Sequence, residues 1–99
     1  MYRIPLLASA HDERRNLPGV LRQRIKKIIE ALGEDARPDN SIMLRFYANA
    51  NWEPRRIRVD LWRIIYAVDD EFQQIAVLAI GKRPPYDYED VVDLLTELE

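Results

Sequence analysis

Arg55-Arg-Ile-Arg-Val59, Leu61-Trp-Arg-Ile-Ile-Tyr-Ala-Val68 and Gln74-Ile-Ala-Val-Leu-Ala-Ile80 are three β-type runs, joined by Asp60 and by a turn containing Asp69-Asp70-Glu71. β-branched and aromatic residues dominate them. Connections this short leave no length for a crossover, so the runs are expected to pair as an antiparallel meander. Strand alternation puts Ile57 and Val59 on one face and Arg56 and Arg58 on the other. In the second run Trp62, Ile64, Tyr66 and Val68 share a face, and Arg63 lies opposite them beside Ile65 and Ala67. If the larger apolar set turns toward a core, Arg63 joins the face of Arg56 and Arg58. Neighbouring strands lie about 4.8 Å apart, so the three guanidinium groups could then converge on one anion. The third run is apolar on both faces, as in a strand covered from both sides, and it delivers Lys82 and Arg83 at its end.

Before this meander the pattern is helical. Leu21, Ile25, Ile28, Ile29 and Leu32 recur at steps of three and four, while Arg22, Gln23, Lys26, Lys27 and Glu30 take the other face. Leu17-Pro18 opens this helix and Gly33 is expected to cap its end. A shorter helix precedes it, from a capping box at Ser9 and Asp12 to about Asn16. Tyr2 to Leu7 reads as a strand near the sheet edge, interrupted by Pro5. Glu34 to Ser41 reads as a loop, Ile42 to Tyr47 as a strand and Ala48 to Pro54 as a turn. After Pro84-Pro85, Asp87 to Glu99 is expected to form a short terminal helix with Val91, Leu95 and Leu98 on one side. The fold class is therefore α+β, an N-terminal strand and helix hairpin packed on a twisted antiparallel β-sheet with a short C-terminal helix.

The 99 residues are expected to form a single domain. Apolar residues make up 47% and charged residues 32%, the balance of a globular chain with a core to bury. Cysteine is absent, which excludes disulfides, thiolate metal sites and thiol nucleophiles. No signal peptide and no apolar stretch of membrane-spanning length is evident, and a cytoplasmic location is expected. The net charge of −2 conceals an asymmetry: residues 1–65 carry 13 basic against 8 acidic side chains, and residues 66–99 carry 2 against 9. Because charges more than about 8 Å apart are screened at physiological salt, an acidic tail does not abolish a local basic site.

The succession of Arg56-Ile-Arg-Val59, Trp62-Arg-Ile-Ile-Tyr66, Asp69-Asp70, Val77-Leu-Ala-Ile-Gly-Lys-Arg83 and tyrosines just beyond resembles the RelE/ParE toxin superfamily, RelE-like members in particular. The likeness runs from Tyr2 to about Tyr88 and is most specific in its second half. It implies the toxin of a toxin–antitoxin pair that cleaves messenger RNA on the ribosome by attack of a ribose 2′-hydroxyl, without metal or other cofactor. It also implies a cognate antitoxin partner and a hetero-oligomeric complex. An alternative within the superfamily is a ParE-like protein that inhibits DNA gyrase by binding; another is a relative that binds antitoxin but has lost toxicity.

Carried over by position, the resemblance makes Arg56, Arg58, Arg63 and Arg83 catalytic and Lys82 an RNA contact. Arginine suits the task, because its planar fork donates paired hydrogen bonds to a phosphate that gains charge in the transition state. Arg56 and Arg63 are the expected clamps. Arg83 would support the leaving 5′-oxygen, and either Tyr86 or Tyr88 would be the base, its hydroxyl acidified by neighbouring cations. Tyr66 is expected in the core and His11 on a solvated helix face. Asp87 to Asp93 lacks the glycine turn and ligand spacing of a calcium loop, so no metal site is expected.

Overall fold

A computed structural model describes residues 1–4, 8–45, 51–82, 95, 96 and 98. Two helices, α1 (Ala8–Arg15) and α2 (Gly19–Ala31), precede four strands: β1 (Ser41–Met43), β2 (Glu53–Val59), β3 (Trp62–Asp69) and β4 (Gln74–Lys82). The strands form one antiparallel sheet in the order β1-β2-β3-β4, the expected α+β layout. Arg3 lies parallel to Gln74, its amide bonding to the Gln73 carbonyl at 2.9 Å and its carbonyl accepting from Ile75 at 2.7 Å. This is the described part of the expected first strand; Pro5 to Leu7 lie outside the described residues.

One face of the sheet and the helices enclose the main core. Ile25, Ile29 and Leu32 meet Ile57, Val59, Ile64, Tyr66, Val68, Ile75, Val77 and Ile80 there. The exposed side of α2 carries Arg22, Gln23, Lys26, Lys27 and Glu30, as its periodicity requires. A second cluster lies on the opposite sheet face, where Trp52, Ile65, Ala67, Ala76, Leu78 and Ala79 pack with Leu95, and Leu44 and Leu98 are partly buried against them. Leu95 and Leu98 thus share a side as expected; the remainder of the expected terminal helix, Val91 included, lies outside the described residues.

Several local expectations are corrected. α1 already includes Ala8, so Ser9 sits within the helix rather than capping it. Leu32, in right-handed helical geometry, is the C-cap of α2, and no described glycine has a positive φ. Gly33 serves closeness instead: a Cβ there would lie 3.3 Å from the Glu30 carbonyl oxygen and 3.4 Å from that of Tyr2, whose amide bonds to Gly33 O at 2.8 Å. Pro54 belongs to β2 and not to the preceding turn. Its carbonyl accepts from Leu44 N at 2.8 Å, so its missing N–H points to the side where β1 has ended at Met43 and no ladder bond is lost there. Leu61 leaves the strand for the turn, because the pair Val59–Trp62 closes the hairpin over Asp60 and Leu61, with Asp60 at φ 55°. Aspartate tolerates that left-handed conformation better than leucine would.

The β3–β4 turn is locked by a carboxylate. Asp69 is buried, and its oxygens accept from Phe72 N at 3.2 Å and from Gln74 Nε2 at 3.1 Å. Between Ile65 and Tyr66 the register slips: Tyr66 stands opposite Val77 but Ile65 opposite Ala79, leaving Leu78 as an extra residue in β4. This β-bulge reverses the alternation of β4, so Ile75 and Val77 face the helices before it and Ile80 faces them after it.

Candidate functional site

Cross-strand register assembles the expected arginine face. Arg58 stands directly opposite Arg63, which is followed across the sheet by Gly81; Arg56 stands opposite Ile65, followed by Ala79. The Leu44–Pro54 bond shows that residues 54, 56 and 58 turn their backbone polar groups toward β1. Arg58 and Arg63 are therefore a non-hydrogen-bonded pair, the kind whose side chains approach most closely, with Cβ atoms about 4.5–5.5 Å apart. Like charges so placed destabilise a sheet. Gly81 adds no side chain beside them.

Burial distinguishes the three. Arg63 is 4% exposed and Arg56 6%, whereas Arg58 is exposed. Both buried arginines take part in interactions within the protein. Their neighbours on this face include Ile65, Ala67 and Leu78, so an anion brought here meets cations in a medium of low polarizability, where each charge-assisted bond is stronger than in water.

Lys82 is placed elsewhere. It pairs with Trp62 on the helix side of the sheet, its ammonium 5.9 Å from the ring centroid. The bulge is the reason, since it sends the even-numbered end of β4 to the face that odd-numbered residues occupy at the start. Beside Trp62, under the β2–β3 turn, lies an open groove of about 320 Å³ lined by Pro18, Val20, Leu21, Leu61 and the ion-paired Arg24 and Asp60. Sequence reasoning missed this groove. Val20 and Leu61, exposed at 85% and 67%, were its only signal.

A second polar cluster, also missed, is structural. Arg37 donates to Glu53 at 3.0 Å and to Asp70 at 2.8 Å, Tyr2 Oη donates to Asp70, and Arg55 donates to Glu53 and to Ser41 Oγ. Hydrogen bonds to Asp70 and Glu53 hold the Arg37 proton more tightly than usual. The Asp70 carboxyl lies below its ordinary range, held there by the hydrogen bonds from Arg37 and Tyr2. Burial pushes the Glu53 carboxyl up, but Arg37 and Arg55 together bring it below its usual value. The cluster ties the N-terminus, the loop after α2, the start of β2 and the β3–β4 turn.

Tyr66 is fully buried, and its hydroxyl donates to the Ala36 carbonyl at 2.8 Å. Burial raises its pKa, the direction opposite to a base's need. His11 is exposed on α1. Arg83, Tyr86 and Tyr88 lie outside the described residues. Among the described residues no group of three or more His, Asp or Glu is arranged to hold a metal ion, and no helix is long and apolar enough to cross a membrane.

Comparison with solved structures shows a RelE-like toxin fold. The archaeal RelE in its complex with RelB from Pyrococcus horikoshii OT3 superposes with a TM-score of 0.75 at 20% identity, covering 86% of this chain and 98% of that one. A free-state double arginine-to-alanine mutant of E. coli RelE gives 0.64 at 25% identity over 97% of this chain and 92% of its own. The RelBE2 complex of Mycobacterium tuberculosis gives 0.60 at 19% identity, covering 83% and 98%. No family model and no curated protein matches the sequence.

Proposed function

We propose that this chain is the toxin of a toxin–antitoxin pair and cleaves messenger RNA on the ribosome. The observation that carries the reading is the Arg58–Arg63 pair, two cations set directly opposite each other on a face where Arg56 and Arg63 are buried. A sheet has no stability reason to oppose like charges, and a phosphate between them relieves the repulsion. The RelE-like fold supports the same reading, as do the complexes of its structural relatives with RelB antitoxins.

In the proposed reaction a base takes the proton of a ribose 2′-hydroxyl, the O2′–P bond forms and the P–O5′ bond breaks. The products carry a 2′,3′-cyclic phosphate and a 5′-hydroxyl, whose oxygen gains a proton. Arg56 and Arg63 clamp the non-bridging oxygens as charge accumulates, and Arg58, at the exposed end, binds the incoming phosphate. Arg83 supports the departing 5′-oxygen, and Tyr86 or Tyr88 acts as the base. The nucleophile belongs to the substrate, so what the protein supplies is positioning and charge.

The test is cleavage of a defined message by purified protein with and without ribosomes. The reading predicts cuts that need the ribosome and disappear in the Arg63→Ala/Arg83→Ala double variant. Intact message at saturating protein would overturn it, and a loss of gyrase supercoiling in the same preparation would point to the gyrase-binding alternative.

A further inference from the structure

We infer that the Trp62 groove is a nucleobase subsite, in which the base of a nucleotide flanking the cleaved phosphate stacks on the Trp62 indole while Lys82 holds its phosphate. The inference rests on the ribonuclease reading above and adds a second contact on the other side of the sheet.

Position is the first support. The row Val59–Trp62–Lys82 adjoins the row Arg58–Arg63–Gly81, one residue or about 3.4 Å along the strands, and both lie at the β2–β3 turn end of the sheet. An RNA strand passing round that end leaves the arginine face and reaches Trp62 next. Lining is the second. The groove of about 320 Å³ falls at the small end of the roughly 300–1,000 Å³ typical of ligand clefts, with an aromatic wall, aliphatic sides from Pro18, Val20, Leu21 and Leu61, and a single polar pair, Arg24–Asp60. That pair joins a guanidinium nitrogen to a carboxylate oxygen at 2.7 Å and offers both donors and acceptors to the edge of a base.

Charge is the third support. Lys82 is exposed, and among the described residues its ammonium meets an aromatic face 5.9 Å away, near the limit of a cation–π contact, which a phosphate displaces at little cost. A basic side chain beside an aromatic platform is the combination that proteins use for single-stranded nucleic acid, and it reads the π-face common to all bases. The subsite is therefore expected to add affinity with little base preference.

The experiment titrates a short, fully 2′-methoxy RNA oligonucleotide, which has no attacking hydroxyl, into the full-length Trp52→Phe protein, so that Trp62 is the only indole. The subsite predicts quenching of its fluorescence and, in the otherwise wild-type chain, binding weakened about tenfold by Trp62→Leu, restored by Trp62→Phe, with an unchanged salt slope. Lys82→Gln is expected to lower that slope by about one. Binding that Arg58→Ala weakens while Trp62→Leu leaves it unaltered would overturn the subsite and spare the ribonuclease reading. An oligonucleotide that fails to bind the wild type would overturn the subsite, whereas the ribonuclease reading is overturned only by intact message in the ribosome-dependent cleavage assay.

Discussion

Replacing Arg58 with glutamate should make the protein more stable and less active at once. In the wild type two like charges face each other across a non-hydrogen-bonded pair, a destabilising arrangement; Arg58→Glu converts it to an opposite-charge pair. Cross-strand pairs are worth about 0.2–1 kcal/mol in either direction, so the swing is of order 1 kcal/mol. For a domain of this size that raises Tm by about 4–8 °C. Thermal unfolding at low ionic strength measures it directly. At 1 M salt the Debye length falls to about 3 Å and most of the gain should vanish, while Arg58→Gln, which only removes the repulsion, should show about half of it. Message cleavage should fall at least tenfold in the glutamate variant, because a carboxylate now meets the incoming phosphate. A variant that melts at or below the wild-type temperature at low salt would refute the electrostatic reasoning; full cleavage by a stabilised variant would refute the functional use of the pair.

Other expectations concern the scaffold. Tyr66→Phe leaves the buried Ala36 carbonyl without its 2.8 Å donor and should cost about 1–3 kcal/mol in urea unfolding, with cleavage retained under native conditions. Gly33→Ala forces a Cβ to within 3.3–3.4 Å of two backbone oxygens and should destabilise by about 1 kcal/mol, with faster amide exchange at Tyr2. Glu53 and Asp70 both have lowered folded-state pKa values, so their stabilisation is present above the ordinary carboxylate range and lost as pH falls through the folded values. Arg37→Leu should flatten that acid-side loss in a pH series of unfolding curves.

The arginine face was legible in the sequence because β2 and β3 pair without interruption from Glu53 to Val68. A period of two then places Arg56, Arg58 and Arg63 together from their numbers alone. The helical periodicity of α2 was equally plain, its apolar stripe meeting the core without interruption. β4 was opaque for a physical reason: both of its faces are buried, so no alternation marks the bulge at Leu78, and the side taken by Lys82 could not be read. Pro54 was misplaced because its tolerance depends on β1 ending one residue early, a tertiary fact. The Arg37 cluster joins residues as far apart in sequence as Tyr2 and Asp70, and nothing local announces such a meeting. Gly33 resembled a helix cap by position, but its reason for being small is a chain 31 residues away.

The bulge makes β4 two half-strands of opposite phase. The first half is anchored to Arg3 and the helices; the second carries Gly81 past Arg63 and Lys82 to Trp62. Leu78 is the spacer between them, and what each half presents depends on the number of residues it spaces, not on their chemistry. Pairing β4 in a single phase from Val77 onward, with Leu78 taken into the ladder, would bring Ile80 against Arg63 and Gly81 against Trp62. Such a slip would abolish both candidate contacts without altering any charged residue, so the length of this strand is itself a determinant of the site.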